Sequence, residues 1–343
     1  MSIIVPYKVV FFWLMMIGTI VSLSSDEWFG AWFGLEVNLF GFIPILVYWG
    51  KLLEGESCIK YLIVQAVGSS FFLLGILFYT VGLNSGFMGF GLIVGGLMLK
   101  LGVFPFHFWL PSVMAGLSWL SCGVLASWQK LMPIFLLLCF ISGLGLISGL
   151  LIWLGGVSSL LGGWGGINQV QLRPLLAYSS IGHLGWLFYG LFYSEVSVKG
   201  YLMFYFIMSV MVFSLLSYCE LKSFNILKYV GEVELKKFFV FWLVILSFAG
   251  LPPLVGFVAK WLVMMTSIEM KGSLIVLLIL VLGSLISLFY YLILCYFFYF
   301  FSFSTMMKSE GMVANWLSFI FLFASLLLGG GFIFVEDLGV YLN

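Results

Sequence analysis

The sequence predicts an all-α fold, namely a polytopic membrane bundle of about 11 transmembrane helices with an inverted repeat and two proline-broken helices. Apolar residues make up 64% of the 343 residues and charged residues only 8%, whereas soluble domains are typically about 25% charged. The apolar runs are about 20 residues long, which suits a helix that crosses a bilayer. Barrel strands would need about 10 residues of alternating polarity. Lipid therefore takes the place that water has around a soluble protein.

The apolar runs between polar breaks give the predicted spans in chain order. The first run has no small-residue cleavage site, and another run follows at once, so we interpret it as a membrane helix rather than a signal peptide. All connections are short, which predicts a single integral membrane domain over residues 1–343. The predicted spans are 6–24, 27–50, 57–82, 87–109, 117–142, 144–166, 173–193, 197–221, 237–267, 272–301 and 314–334.

The basic residues of the loops predict the orientation. By the positive-inside rule, the side with more Lys and Arg faces the cytoplasm, or the matrix in a mitochondrion. That side holds the N-terminus, and the C-terminus then lies on the opposite side. The N-terminal side receives Lys8, Lys51, Lys60, Arg173, Lys222, Lys228, Lys236, Lys237 and Lys308, and the other side receives Lys199 and Lys271.

Two predicted spans are interrupted by proline, and each interruption has a lysine nearby. The span 87–109 contains GLMLKLGVFPFHFWLP, with Lys100 five residues before Pro105. The span 237–267 contains SFAGLPPLVGFVAKW, with Lys260 seven residues after Pro253. Proline removes a backbone hydrogen bond and breaks a helix. Paired breaks in two halves are typical of inverted-repeat transporters with sites at the midplane, although membrane helices also tolerate proline without such a role.

Four charged residues lie deep inside predicted spans: Glu36, Lys100, Lys130 and Lys260. Each costs about 2.5–3.5 kcal/mol to insert at the centre of a membrane helix. One interpretation is a set of buried ion pairs that fix helix packing. The other is proton handling, because burial disfavours the charged form of a lysine and lets it exchange a proton near neutral pH. An adjacent glutamate would hold the lysine charged until the two are separated.

Histidine and glycine patterns add further expectations. His107 and His183 lie inside predicted spans, where each either carries protons or packs as a hydrogen-bonded residue. The GxxxG sequences at 91–95 and 145–149 predict close helix contacts. No cluster of Cys and His predicts a metal site, and no flavin, iron–sulfur or haem motif is present. The net charge of +1 excludes a nucleic-acid surface.

Six motifs in fixed order resemble one family. They are WFGLEVNLFGFIPIL, KYLIVQAVGSSFFL, LKLGVFPFHFWLP, SWQKLMPIFLL, GGINQVQLRPLLAYSSIGHLGW and GLPPLVGFVAKW. Together they are similar to chain 2 of mitochondrial NADH–ubiquinone oxidoreductase, an antiporter-like membrane-arm subunit of respiratory complex I. The resemblance covers residues 27–267 and implies a proton-pumping module in the mitochondrial inner membrane, with other membrane-arm subunits and the lipid bilayer as partners.

The resemblance also implies roles for particular residues. The glutamate that matches Glu36 pairs with the lysine that matches Lys100, the lysine at Lys130 connects across the middle, and Lys260 sits on the second broken helix. Flavin, iron–sulfur clusters and ubiquinone are expected in partner subunits, with no cofactor in this chain. Two positions depart from the family: Pro174 replaces a lysine after Arg173, and Ala259 replaces a proline before Lys260.

Two other functions remain open from the residues. A stand-alone or Mrp-type cation/proton antiporter would use the same broken helices, but it should carry a pair of deep carboxylates, and this sequence has one, Glu36. A membrane scaffold would leave the four deep charges without a purpose. Copurification with peripheral redox subunits distinguishes the first interpretation from both.

Overall fold

The computed structural model describes residues 6–47, 50–80, 86–140, 147–219, 235–252 and 254–306, and all regular elements in these ranges are helices. Within these ranges, side chains are described for residues 8–47, 50–80, 88–140, 148–217, 242–252 and 254–296. The helices are α1 (Pro6–Ser24), α2 (Trp28–Leu46), α3 (Leu52–Thr80), α4 (Gly86–Leu101), α5 (Trp109–Gly116), α6 (Trp119–Ala126), α7 (Trp128–Phe140), α8 (Ile147–Ile167), α9 (Leu172–Gly190), α10 (Glu195–Cys219), α11 (Leu235–Ala249), α12 (Val255–Glu269) and α13 (Leu274–Met306).

The chain divides into two compact units, residues 1–158 and 159–343. In the first unit, α1 packs along α2 and α3 packs along α4, while α7 contacts α4. In the second unit, α10 packs on α12 and α11 packs on α13, while α9 contacts both α12 and α13. Helix α8 begins in the first unit and ends in the second.

The lengths and composition of the helices agree with the predicted membrane protein. Within the described ranges, six segments are long and apolar enough to cross a membrane: Trp28–Leu46, Leu52–Thr80, Trp119–Phe140, Ser148–Ile167, Glu195–Ser217 and Leu274–Tyr296. The first ten predicted spans all overlap described helices. The predicted span 314–334 and the loop residues Lys222, Lys228 and Lys308 lie outside the described residues, so the count of 11 stays a prediction.

Both predicted interruptions are present, and a glycine ends the helix in each case. Helix α4 stops before Gly102, which has φ +73°, and the N–H of Val103 bonds the carbonyl of Met98 over 3.3 Å. Helix α11 stops before Gly250, which has φ +83°. Glycine adopts this left-handed conformation without the steric cost that other residues meet. The prolines therefore lie near the breaks, but the helices end at the glycines. Pro253 itself lies outside the described residues.

One further interruption was not predicted. The expected span 117–142 consists of α6 and α7, which meet at Ser127. The Ser127 hydroxyl donates to the carbonyl of Gly123 over 2.6 Å, a type of bond that bends helices. The discontinuity lies three residues before Lys130.

The predicted glycine contacts at 91–95 and 145–149 are wrong where they can be checked. Among the residues that the structure describes, a Cβ atom added at Gly91, Gly95 or Gly149 would meet no atom of another segment within 4 Å. The close approach of α3 and α4 instead uses glycines at a spacing of seven. A Cβ at Gly96 would lie 2.6 Å from the carbonyl oxygen of Gly68, and one at Gly89 would lie 3.1 Å from that of Gly75. Sequence spacing alone does not say which glycine faces the neighbouring helix.

Candidate functional site

The first unit contains a polar cavity bordered by two of the deep lysines. Lys100 and Lys130 are buried, with 8% and 3% of their surface exposed, and both line the cavity. The volume that the centre of a water molecule could occupy in this cavity is about 20 Å³. This volume exceeds the roughly 10–15 Å³ that one buried water needs. Its remaining polar lining consists of Asn38, Tyr61, Gln65 and Gln129.

The end of α4 places Lys100 at this cavity. A helix leaves its last carbonyls without intrahelical partners, and here side chains supply them. Nε2 of Gln65 donates to the carbonyl of Lys100 over 3.3 Å, and the indole N–H of Trp109 donates to the carbonyl of Leu99 over 3.1 Å. The absence of a side chain at Gly68 leaves room for the aliphatic stem of Lys100, since a Cβ there would lie 3.1 Å from its Cγ.

The glutamate of the predicted pair lies on α2. Glu36 is half-buried, and its negative charge attracts the ammonium group of Lys100. On the cavity itself, α2 presents Leu35, Asn38 and Leu39 rather than Glu36. The structure thus brings Glu36 and Lys100 within electrostatic reach of each other and places Lys130 on the same cavity as Lys100.

The second unit contains a smaller polar cavity with the third deep lysine. Lys260 on α12 is 5% exposed and lines this cavity together with His183 of α9. The space for a water centre is about 10 Å³, close to the volume of a single water site. Hydroxyl groups form much of the remaining lining: Ser159, Ser179, Ser284, Ser287 and Tyr291.

The ammonium group of Lys260 closes the broken end of α11. Its Nζ donates to the carbonyl of Ala249 over 2.8 Å. A positive charge at a helix C-terminus also interacts favourably with the helix dipole. Gly250 provides the necessary room, because a Cβ at that position would lie 2.7 Å from Nζ of Lys260. The lysine and the break therefore form one local arrangement.

The two predicted histidines have different surroundings. Nδ1 of His183 lies 2.7 Å from the hydroxyl of Tyr201, and both residues are buried. His107 is buried in the segment between α4 and α5, where its ring packs against Phe108 at a centroid distance of 4.1 Å. His183 joins Lys260 at the second cavity, whereas His107 is not among the residues that line the first.

The two departures from the family pattern fit the helices without interruption. Pro174 lies in the first turn of α9, where a missing backbone N–H costs no intrahelical hydrogen bond. Ala259 is buried inside α12, which runs unbroken from Val255 to Glu269. Alanine there lets the helix continue through Lys260.

Sequence reasoning missed the uncharged polar residues of both sites. Asn38 and Gln129 form a reciprocal amide pair across α2 and α7, with bonds of 3.0 and 3.1 Å. Gln65 and Tyr201 were also not singled out. A usable signal was present, because Asn38 lies two residues after Glu36 and Gln129 directly precedes Lys130. An amide beside a deep charge within an apolar run indicates a polar site rather than a lipid-facing surface.

Comparisons with known proteins agree with this architecture. A family model described as NADH:quinone oxidoreductase/Mrp antiporter, transmembrane, matches residues 25–287. The chain is 35% identical over 277 residues to NADH-ubiquinone oxidoreductase chain 2 of Locusta migratoria, covering 80% of each protein. It is 37% identical to the chain 2 protein of Anopheles gambiae over 287 residues, covering 82% of each.

Two solved structures share the fold. A chain in respiratory complex I from Thermus thermophilus with bound Aureothin superposes with a TM-score of 0.79 at 24% identity, covering 94% of this chain and 77% of that one. A chain of the Mrp complex from Dietzia sp. superposes with a TM-score of 0.71 at 17% identity, covering 88% and 61%. By its matched length and its identity to these relatives, the chain belongs to the NADH-ubiquinone oxidoreductase chain 2 family, within the NADH:quinone oxidoreductase/Mrp antiporter group of transmembrane proteins.

Proposed function

We propose that the chain is a proton-translocating membrane-arm subunit of respiratory complex I. The observation that carries the proposal is the burial of three lysines at two polar cavities in a chain of this family. A charged lysine inside a membrane is costly, so a buried lysine there indicates a function. A lysine that alternates between charged and neutral forms can instead accept and release protons.

In this proposal the deep residues act as proton stations. Glu36 favours the charged form of Lys100, and weakening that attraction would release a proton toward the first cavity and Lys130. Lys260 and His183 serve the second cavity, where the imidazole can both donate and accept. His107 is an accessory residue at the break between α4 and α5. The energy for these steps would come from quinone chemistry in other subunits, as a coupling between distant sites.

The wider assignment combines this family membership with the apolar runs of the sequence and the distribution of its basic residues. The chain would lie in the mitochondrial inner membrane as 11 spans arranged as an inverted repeat, with its N-terminus in the matrix and its C-terminus in the intermembrane space. Its partners would be other membrane-arm subunits and lipid. Flavin, iron–sulfur clusters and ubiquinone would be bound by partner subunits, and this chain would perform no redox step.

A gentle-detergent purification followed by a native gel and in-gel NADH dehydrogenase staining tests the assignment. A particle near a megadalton that contains the chain and oxidises NADH is the expected result. If the chain runs alone or with a few small membrane partners and without NADH activity, the Mrp-type antiporter function takes its place, and ion-dependent proton flux becomes the relevant assay.

The substitution Lys100→Met tests the proton role inside the assembled complex. We expect proton pumping and coupled turnover to fall while assembly is largely retained, because Met fills a similar volume without a titratable group. Lys199→Met is a matched control, since Lys199 pairs with Glu195 on an exposed part of α10. Normal pumping by an assembled Lys100→Met complex would contradict the assignment.

A further inference from the structure

Tyr61 of α3 lines the first cavity, and the proposed proton stations do not use its hydroxyl. Only 3% of its surface is exposed, and its ring packs against Phe42 and Trp109 at centroid distances of 5.4 and 5.8 Å. Among the residues that the structure describes, its hydroxyl has no hydrogen-bond partner. This oxygen is also not one of the unpartnered polar atoms that the protein closes off from water. The hydroxyl therefore faces the cavity.

The ammonium group of Lys100 needs a partner at the same cavity. It carries three N–H donors, and within the described ranges no hydrogen bond or ion pair reaches them. Glu36 attracts this group through space but forms no direct ion pair with it in the described part of the chain. Buried polar groups are nearly always hydrogen-bonded, to protein or to ordered water. An acceptor for these donors is therefore expected inside the cavity.

The cavity suits a water molecule in this position. Its volume of about 20 Å³ for a water centre admits one molecule. The amides of Asn38 and Gln129 bond each other, whereas Gln65 donates its Nε2 to the carbonyl of Lys100 and keeps Oε1 as an acceptor. A buried water typically makes about three hydrogen bonds. Here it can accept from Lys100, donate to Oε1 of Gln65 and pair with the hydroxyl of Tyr61.

We propose that Tyr61 is a positioning residue that holds one water against the ammonium group of Lys100. The inference rests on the proposed function and deepens it, because this water is the first acceptor of the Lys100 proton. An N–H bond of Lys100 breaks as an O–H bond forms on the water, and the water gives up one of its own protons toward Lys130 on the same cavity. The tyrosine hydroxyl fixes the orientation of the water for this transfer.

The experiment is a cryo-EM map of the assembled complex, prepared without halide ions and at a resolution that shows ordered water. We expect one density peak within hydrogen-bond distance, roughly 2.5–3.2 Å, of both Nζ of Lys100 and the hydroxyl of Tyr61. Tyr61→Phe keeps the ring that packs on Phe42 and Trp109, so the complex should assemble normally, but the peak should be lost. Loss of one hydrogen bond should lower the pumping rate by roughly 2- to 10-fold.

Tyr79→Phe is the matched control, because Tyr79 lies on the same helix but is exposed. It should change neither the peak nor the pumping rate. A parent complex without the peak, or a peak that remains in Tyr61→Phe, overturns the inference. Loss of the peak at an unchanged pumping rate also overturns it, because the water then takes no part in proton transfer, but leaves the proposed function intact. Normal pumping by an assembled Lys100→Met complex would instead contradict the proposed function.

Discussion

The substitution Gly250→Ala tests whether Lys260 depends on the broken end of α11. The backbone at Gly250 has φ +83°, a left-handed conformation that costs an L-residue about 1–2 kcal/mol. The added Cβ would lie 2.7 Å from Nζ of Lys260, so the lysine side chain has to shift, and the shift weakens or breaks its bond to the carbonyl of Ala249. A hydrogen bond from a charged group contributes about 1.5–3 kcal/mol, so backbone strain together with complete loss of this bond would cost about 2.5–5 kcal/mol.

The expected result is a lower yield of assembled complex and a lower pumping rate per assembled complex. A native gel measures the first quantity, and vesicle acidification normalised to NADH oxidation measures the second. Gly149→Ala is the control, because a Cβ there meets no atom within 4 Å in the described part of the chain, and alanine is the better helix former by roughly 0.5–1 kcal/mol. An assembled Gly250→Ala complex that pumps at the parent rate would refute the reasoning.

A second variant separates backbone strain from displacement of the lysine. Asparagine tolerates the left-handed conformation better than alanine does, but it carries the same Cβ toward Lys260. Gly250→Asn should therefore recover much of the assembly that Gly250→Ala loses, while its pumping stays low. Recovery of both quantities would show that strain alone caused the defect and that the position of the ammonium group is unimportant.

Two further predictions concern helix packing and the histidine of the second cavity. Gly96→Ala should reduce the yield of assembled complex, because its Cβ would press on the carbonyl of Gly68 and such overpacking costs about 1–3 kcal/mol. Gly91→Ala is the control and should leave the yield unchanged. Equal yields of the two variants on a native gel would contradict the contact assigned to Gly96. Tyr201→Phe removes the hydroxyl that lies 2.7 Å from Nδ1 of His183. One hydrogen bond contributes about 0.5–1.5 kcal/mol, so its loss should lower the pumping rate by roughly 2- to 10-fold while assembly stays normal. The pH dependence of pumping should also change. Identical pH profiles of pumping for Tyr201→Phe and the parent would contradict a role for this bond.

The deep lysines were predictable because their signal is local. A charge within a long apolar run is visible in the sequence, and the structure buries Lys100, Lys130 and Lys260 as expected. Glu36 is only half-buried, because exposure depends on which side of α2 faces the cavity. Whether these residues carry protons stays a prediction that the mutations above address.

The tertiary partners were not predictable in the same way. Asn38 and Gln129 are 91 residues apart, and nothing in either segment specifies the other. The glycine contacts failed for a related reason, since GxxxG spacing is frequent in a chain with 40 glycines, and only the neighbouring helix selects Gly96 over Gly95. The breaks were placed correctly by their prolines, but the glycine that ends each helix follows from backbone geometry rather than from the proline pattern.

The two broken helices are closed by different chemistry, and this difference bears on how each unit responds to a proton. At the end of α4, the carbonyls of Leu99 and Lys100 accept from the indole of Trp109 and the amide of Gln65, groups that keep their protons at physiological pH. At the end of α11, the carbonyl of Ala249 accepts from the ammonium group of Lys260 itself. Charge-assisted hydrogen bonds are roughly twice as strong as neutral ones. Loss of a proton from the second lysine therefore weakens the closure of its own helix break, whereas loss of a proton from the first leaves its break intact.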